Sequence, residues 1–210
     1  IKWRVLNVNG TDAFLLADKA LDDQEYNISD TSITWEKCTM RSWLNGYDSS
    51  SNSYGRDYTK LNFINTAFTS SERSAIKTTE VVNDNNINYG TAGGNDTSDK
   101  VFLLSENEVY NSNTAISYGF TKSYSKYDEG RRCKSSTFAK AMGVWSNTYS
   151  SYAGNCWWWL RSPGDYAYDA ALVTHDGRVY HDGDYVNCDA DAVRPALHLN
   201  LSFTNLYSYA

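Results

Sequence analysis

Apolar and polar residues alternate through Trp3-Arg4-Val5-Leu6-Asn7-Val8, and an apolar run returns at Ala13-Phe14-Leu15-Leu16. Asn9-Gly10 between them is a favoured two-residue turn, so the pattern predicts a β-hairpin over the first 17 residues. The period then lengthens. Met40, Trp43, Leu44 and Tyr47 share one face at helical spacing and predict a helix over about 36–46. Leu61, Ile64 and Phe68 repeat that spacing, and Ser70 or Ser71 is placed to cap a following turn with Glu72, Ala75 and Ile76. Val101-Phe102-Leu103-Leu104 reads as a short buried strand, and Ser105-Glu106-Asn107-Glu108 has the spacing of a capping box. Phe138, Ala141, Met142 and Trp145 predict one more short amphipathic helix, ending near Gly143. These stripes read as core.

Two tracts lose the apolar period. Residues 83–99, NDNNINYGTAGGNDTSD, predict an irregular loop. Its oxygen-rich side chains suit Ca²⁺, but their order differs from an EF-hand, and Asx-turns account for the same composition. Residues 112–130 are polar, Tyr-rich and also read as loop. The last third is β in character. Trp157–Leu160 predicts a strand, and Val173, Val179, Val186 and Val193 recur at intervals of six or seven, with Asp176-Gly177 and Asp182-Gly183 as turn signals. No linker divides the chain, so the pattern predicts one α+β domain over residues 1–210.

Composition changes this picture in one place. Residues 165–192 contain no Glu, Lys, Gln, Met or Trp, whereas 27 residues of those types stand among the other 182. At that usage about four were expected. A polar turn-rich loop is the plainer explanation. The genetic code supplies another: an Asn codon ends in a pyrimidine, and randomising its two adenines can never encode the missing five types. The gap therefore has the form left by adenine-directed mutagenesis of a binding surface.

A net charge of −6 and a pI near 5.0 argue against binding nucleic-acid backbones or anionic membrane surfaces. No apolar run approaches the ~18 residues of a membrane span. The chain opens inside its first strand without an initiator methionine or signal peptide, the pattern expected of a mature or excised piece. Four scattered cysteines (Cys38, Cys133, Cys156, Cys188) and three histidines show no zinc-site spacing, so neither a metal nor a cofactor is expected. Cys38 and Cys133 could pair in an exported protein; buried free thiols are the commoner outcome. A serine hydrolase lacks its Gly-x-Ser-x-Gly elbow.

Several blocks together carry a family resemblance: Trp3-Arg4-Val5-Leu6, Thr34-Trp35-Glu36-Lys37-Cys38-Thr39-Met40-Arg41-Ser42-Trp43-Leu44-Asn45, Asp99-Lys100-Val101-Phe102-Leu103-Leu104-Ser105, Trp158-Trp159-Leu160-Arg161-Ser162-Pro163-Gly164 and Val193-Arg194-Pro195-Ala196-Leu197. With them the chain resembles the variable proteins of diversity-generating retroelements, which use a C-type-lectin-type fold related to formylglycine-generating enzymes. The resemblance implies short helices around a small antiparallel sheet that ties the termini together. It also implies a hypervariable ligand-binding segment at 165–191. The variable positions would be Asp165, Tyr166, Ala167, Tyr168, Asp169, Leu172, Thr174, His175, Arg178, Tyr180, His181, Asp182, Asp184, Tyr185, Asn187, Cys188, Asp189, Ala190 and Asp191. Gly164, Ala170, Ala171, Val173, Gly177, Val179, Gly183 and Val186 would be fixed scaffold.

On that reading Trp3, Trp43, Trp157 and Trp159 are largely buried, Arg161 is a buried ion-pair or carbonyl-binding residue, and most of 165–191 is exposed. Seven Asp against one Arg in 165–192 predict a ligand with basic or hydroxyl groups. A protein or peptide is favoured and a glycan is the alternative. The setting implied is extracellular, on a bacterial cell surface or phage virion. Catalysis is not expected: Cys156 and Cys188 flank the segment, but neither stands in a context resembling the copper-binding cysteine pair of formylglycine-generating enzymes. The Glu-Pro-Asn and Gln-Pro-Asp sugar motifs of Ca²⁺-dependent lectins are absent. A non-diversified structural or carbohydrate-binding domain of a larger surface protein is the alternative reading.

Overall fold

Glycine at the first central position of a two-residue turn folds strand β1 (Trp3–Asn9) onto β2 (Asp12–Ala17). Gly10 has φ 58°, while Thr11 keeps a negative φ, and Asn9 pairs with Asp12. That is the pattern of a type II′ turn, one residue later than the Asn9-Gly10 turn expected. These coordinates are a computed structural model, which describes residues 1–110, 118–124, 127–149, 151–203 and 208. Part of the Tyr-rich tract expected to be loop, 112–117 with 125 and 126, lies outside the described residues.

Strand β2 is buried along nearly all its length, because β1 covers one edge and the C-terminal strand the other. The remaining strands are β3 (Asp22–Asp23), β4 (Thr79–Val81), β5 (Thr97–Asp99), β6 (Val101–Phe102), β7 (Trp158–Pro163), β8 (Asp169–Val173), β9 (Val179–Tyr185), β10 (Ala192–Val193) and β11 (Ala196–Asn200). One sheet runs β1-β2-β11-β6, so the first and last strands share it, as expected. A second runs β3-β10-β7-β8-β9, and a small ladder joins β4 to β5. The second sheet is not wholly antiparallel, since β10 runs parallel to β7 at Ala192 and Trp158. The mixed α+β class therefore stands.

The helices are short and capped by side chains. Cys38 breaks the helix expected over 36–46. Its extended backbone separates a 3₁₀ turn (Trp35–Lys37) from α1 (Thr39–Asn45), and its Sγ accepts from the Arg41 N–H. Asn62 caps α2 (Phe63–Ala67), and Thr69, rather than Ser70 or Ser71, forms a capping box with Glu72 at α3 (Ser70–Ala75). The Ser105–Glu108 box opens α4 (Glu106–Val109), as its spacing predicts. In α5 (Thr137–Met142) the expected core stripe is reversed. Phe138, Met142 and Trp145 are 58%, 50% and 45% exposed, and the helix rests on the core through Ala139.

One apolar cluster runs through both sheets, with Trp35, Trp158, Trp159, Leu103, Leu104, Leu160 and Leu172 wholly buried. Trp3, Trp43 and Trp157 are only half-buried, a correction to the expected core. Three buried arginines fasten loops to this core. Arg161 donates to the carbonyls of Leu103 (2.7 Å) and Val82 (2.9 Å) and pairs with Glu108, fulfilling both roles foreseen for it. Arg131 reaches the carbonyls of Gly177, Thr121 and Ser123 at 2.7–3.0 Å. Arg194 lies 4.9 Å over the Trp158 ring and donates to the Ala17 carbonyl. All four cysteines are free thiols, so Cys38 and Cys133 do not pair.

Candidate ligand-binding face

The β8–β9 hairpin carries the segment singled out by composition. Its turn is Asp176-Gly177, where Thr174 Oγ1 and the Arg178 N–H both donate to Asp176 Oδ1. Gly177 is required there: its φ is 91°, and a β-carbon would fall 2.1 Å from the Asp128 carbonyl oxygen. Asp182-Gly183, expected as a second turn, instead lies inside β9. Ala170 pairs with Asp184 while Leu172 pairs with Tyr180, so β9 carries two extra residues across this interval. The irregularity is a bulge with Gly183 at φ 84°, and it interrupts the alternation of side chains along the strand.

Alternation and bulge together divide the candidate positions. Tyr166, Arg178, Tyr180, Tyr185, Asn187 and Asp189 are exposed. Asp165, Ala167, Tyr168, His175, Asp182, Asp184, Cys188 and Ala190 are half-buried. Asp169, Leu172, Thr174, His181 and Asp191 are buried, which corrects the expectation that most of 165–191 projects outward. The reasons are local. Leu172 is core, Thr174 braces the turn, and His181 meets Glu106 at 2.5 Å between the rings of Tyr110 and Tyr124. Of the scaffold positions, all but the half-buried Gly183 are buried.

Three tyrosines form a continuous stack on the face. Tyr166 and Tyr168 lie 5.1 Å apart and 2° from parallel, and Tyr185 continues at 6.2 Å from Tyr168. Tyr166 and Tyr185 are each 56% exposed. The 83–99 loop borders this stack and supplies Tyr89, whose hydroxyl donates to Asp182 Oδ1 at 2.5 Å. That bond pushes the Tyr89 phenol up to about 12. The loop is braced by its own polar groups: Asn86 Oδ1 accepts from the N–H groups of Asn88 and Tyr89, and its Nδ2 donates to the carbonyls of Pro163 and His181.

A second aromatic group surrounds His175. Trp157 lies beside it with the two rings within 4° of parallel and centroids 6.5 Å apart, and Trp145 and Tyr152 meet it at steep angles. The Trp157 indole N–H donates to His175 Nδ1 at 2.9 Å, so this nitrogen is the acceptor. Tyr180 adjoins Trp157. Tyr89, Trp145 and Tyr152 lie outside the compositional gap and were missed. No local signal marked Trp145, which read from the sequence as part of a core stripe.

The rim is acidic. Burial, then the neighbouring Asp165, raises the Asp169 carboxyl to about 7. Asp184, Cys188 and Asp191 bring potential ligand atoms within 4.8 Å of one another. Burial, with these carboxylates adding to it, lifts the Cys188 thiol to about 12. Among the described residues no helix is long and apolar enough to cross a membrane.

The class so defined is an α+β protein bearing an aromatic, acid-rimmed face on a bulged hairpin. The chain belongs to the family described as Domain of unknown function (DUF6273), whose model matches residues 10–201. Among curated proteins and solved structures none matches.

Proposed function

We propose that this protein is a ligand-binding display domain of the C-type-lectin type, whose face on β8, β9 and their flanking loops is varied by retroelement-directed adenine mutagenesis. The observation that carries the reading is the Tyr166–Tyr168–Tyr185 stack, exposed at both ends, standing on a hairpin whose scaffold positions other than Gly183 are packed away. Tyrosine supplies a large contact area with few rotamers to freeze, and its hydroxyl serves many partners. The acidic rim favours a protein or peptide with a basic patch, met outside the cell on a bacterial surface or virion. The buried positions Asp169, Leu172, Thr174, His181 and Asp191 favour a second reading for part of the segment, as fixed residues of a non-diversified domain.

Two measurements test this. A near-copy of the coding segment for 157–197, differing only at adenines and lying beside a reverse-transcriptase gene, is expected in the source genome; its absence leaves an undiversified domain. Screening the purified protein against a displayed peptide library should yield basic binders. Tyr168→Ala and Tyr185→Ala should speed their dissociation, at about 2 kcal/mol for a central anchor. Binders unaffected by either change would place the ligand elsewhere.

A further inference from the structure

Cys188 is drawn back toward β9 by a tight turn in which its N–H donates to the Tyr185 carbonyl at 2.8 Å. Asp184 stands on β9 and Asp191 immediately before β10, so three side chains far apart in chemical role converge at the sheet's end. Asp191 is only 3% exposed, and its Oδ2 is buried with no hydrogen-bond partner among the described residues. A buried carboxylate oxygen without a donor is costly and calls for a counter-charge.

No side chain supplies one. Asp191 feels Asp184 and Asp23, both acidic, offset only in part by a hydrogen bond from the uncharged Cys188 thiol. Asp23 sits on β3 opposite Ala192 of β10. Asp23 also carries a buried oxygen without a partner, Oδ1, and feels Asp189, Asp22 and Glu25. Among the described residues, no ion pair involves Asp23, Asp184, Asp189 or Asp191. The negative charge is left to a proton or to a cation.

The donor set distinguishes among cations. Ca²⁺ and Mg²⁺ take oxygen donors, whereas a thiolate beside two carboxylates suits zinc. A tetrahedral zinc ion with bonds of about 2.0–2.3 Å holds its ligands roughly 3.3–3.8 Å apart. Side-chain rotations of about an ångström bring these atoms from within 4.8 Å to that spacing. We propose that Asp184, Cys188 and Asp191 form a zinc site with an open fourth position. Asp184 and Cys188 are only half-buried, which leaves that position a path to water or to a ligand's own donor. The site does not depend on the tyrosine face being the binding surface.

The test uses the purified chain, stripped with a chelator and titrated with zinc chloride by calorimetry. One equivalent should bind, and zinc should raise the melting temperature. Cobalt(II) in its place should give a thiolate charge-transfer band that Cys188→Ser abolishes. Asp191→Asn and, separately, Asp184→Asn should weaken zinc by about tenfold or more. Asp57→Asn, at an exposed carboxylate, should bind zinc as the wild type does. Millimolar calcium should not compete. The proposal is overturned if zinc neither binds stoichiometrically nor raises the melting temperature, or if binding and the cobalt band survive both Cys188→Ser and Asp184→Asn. Stabilisation of the metal-free protein by Asp191→Asn, with no zinc effect on wild type, would assign the counter-charge to a proton instead.

Discussion

Asp169 shows how one carboxyl can link the face to pH. It is buried on β8 and raised to about 7, first by burial and then by Asp165. Its folded value lies above its unfolded one, so the folded state holds the proton more tightly. Its favourable contribution is complete below about pH 4 and is lost as pH rises toward 7. Asp169→Asn should therefore leave stability near wild type at pH 4 and raise it by about 1 kcal/mol or more at pH 8, measured by chemical denaturation. An equal effect at both values would assign the change to packing. His181 carries the opposite lesson. It stood among the interchangeable surface positions that the resemblance implied, yet its contact with buried Glu106 makes it part of the interior.

For the elements, backbone geometry decides what varies. The β9 bulge leaves Asp182 and Asp184 half-buried and turns Tyr185 outward, an arrangement that regular alternation from buried Val179 and His181 would not give. Gly183 makes it possible. A β-carbon there would lie 2.6 Å from the Ala170 carbonyl oxygen, in addition to the strain of φ 84°. Gly10 also has a positive φ, 58°, but nothing lies within 4 Å of its β-carbon position. Gly10→Ala should cost about 1 kcal/mol and Gly183→Ala at least twice that. Equilibrium unfolding of the two variants checks the order. Helix caps, by contrast, were legible: Ser105 and Glu108 form their box because both partners lie within one turn of chain. Thr69 took the cap assigned to its serine neighbours because it alone stands three residues before Glu72.

Across the whole molecule, negative charge collects where the proposed ligand would dock. Encounter with a basic peptide should then be steered by charge, while the stacked tyrosines hold it. Raising salt from low to physiological strength should slow association markedly and change dissociation little, by stopped-flow or surface kinetics. Dissociation that carries the salt dependence instead would mean that desolvated ion pairs, not aromatic contacts, hold the complex.

What the sequence by itself determined is whatever neighbouring residues settle between them. The first hairpin, the Ser105 box and the β character of the last third all follow from period and turn chemistry within a few residues. The loop expected over 83–99 instead ends in β5, whose pairing with β4 is not local. Exposure was not local either. Phe138, Met142 and Trp145 read as a core stripe, yet the fold lays α5 on Ala139 and leaves them outside. Asp169 and Asp191 are of the same residue type as exposed Asp189, and only their packing in the fold turns them inward. The convergence of Asp184, Cys188 and Asp191 beside Asp23 needs β3 to cross to β10, more than 160 residues later in the chain. Contacts at that separation depend on which sheets form and how they pack, and no local pattern encodes them.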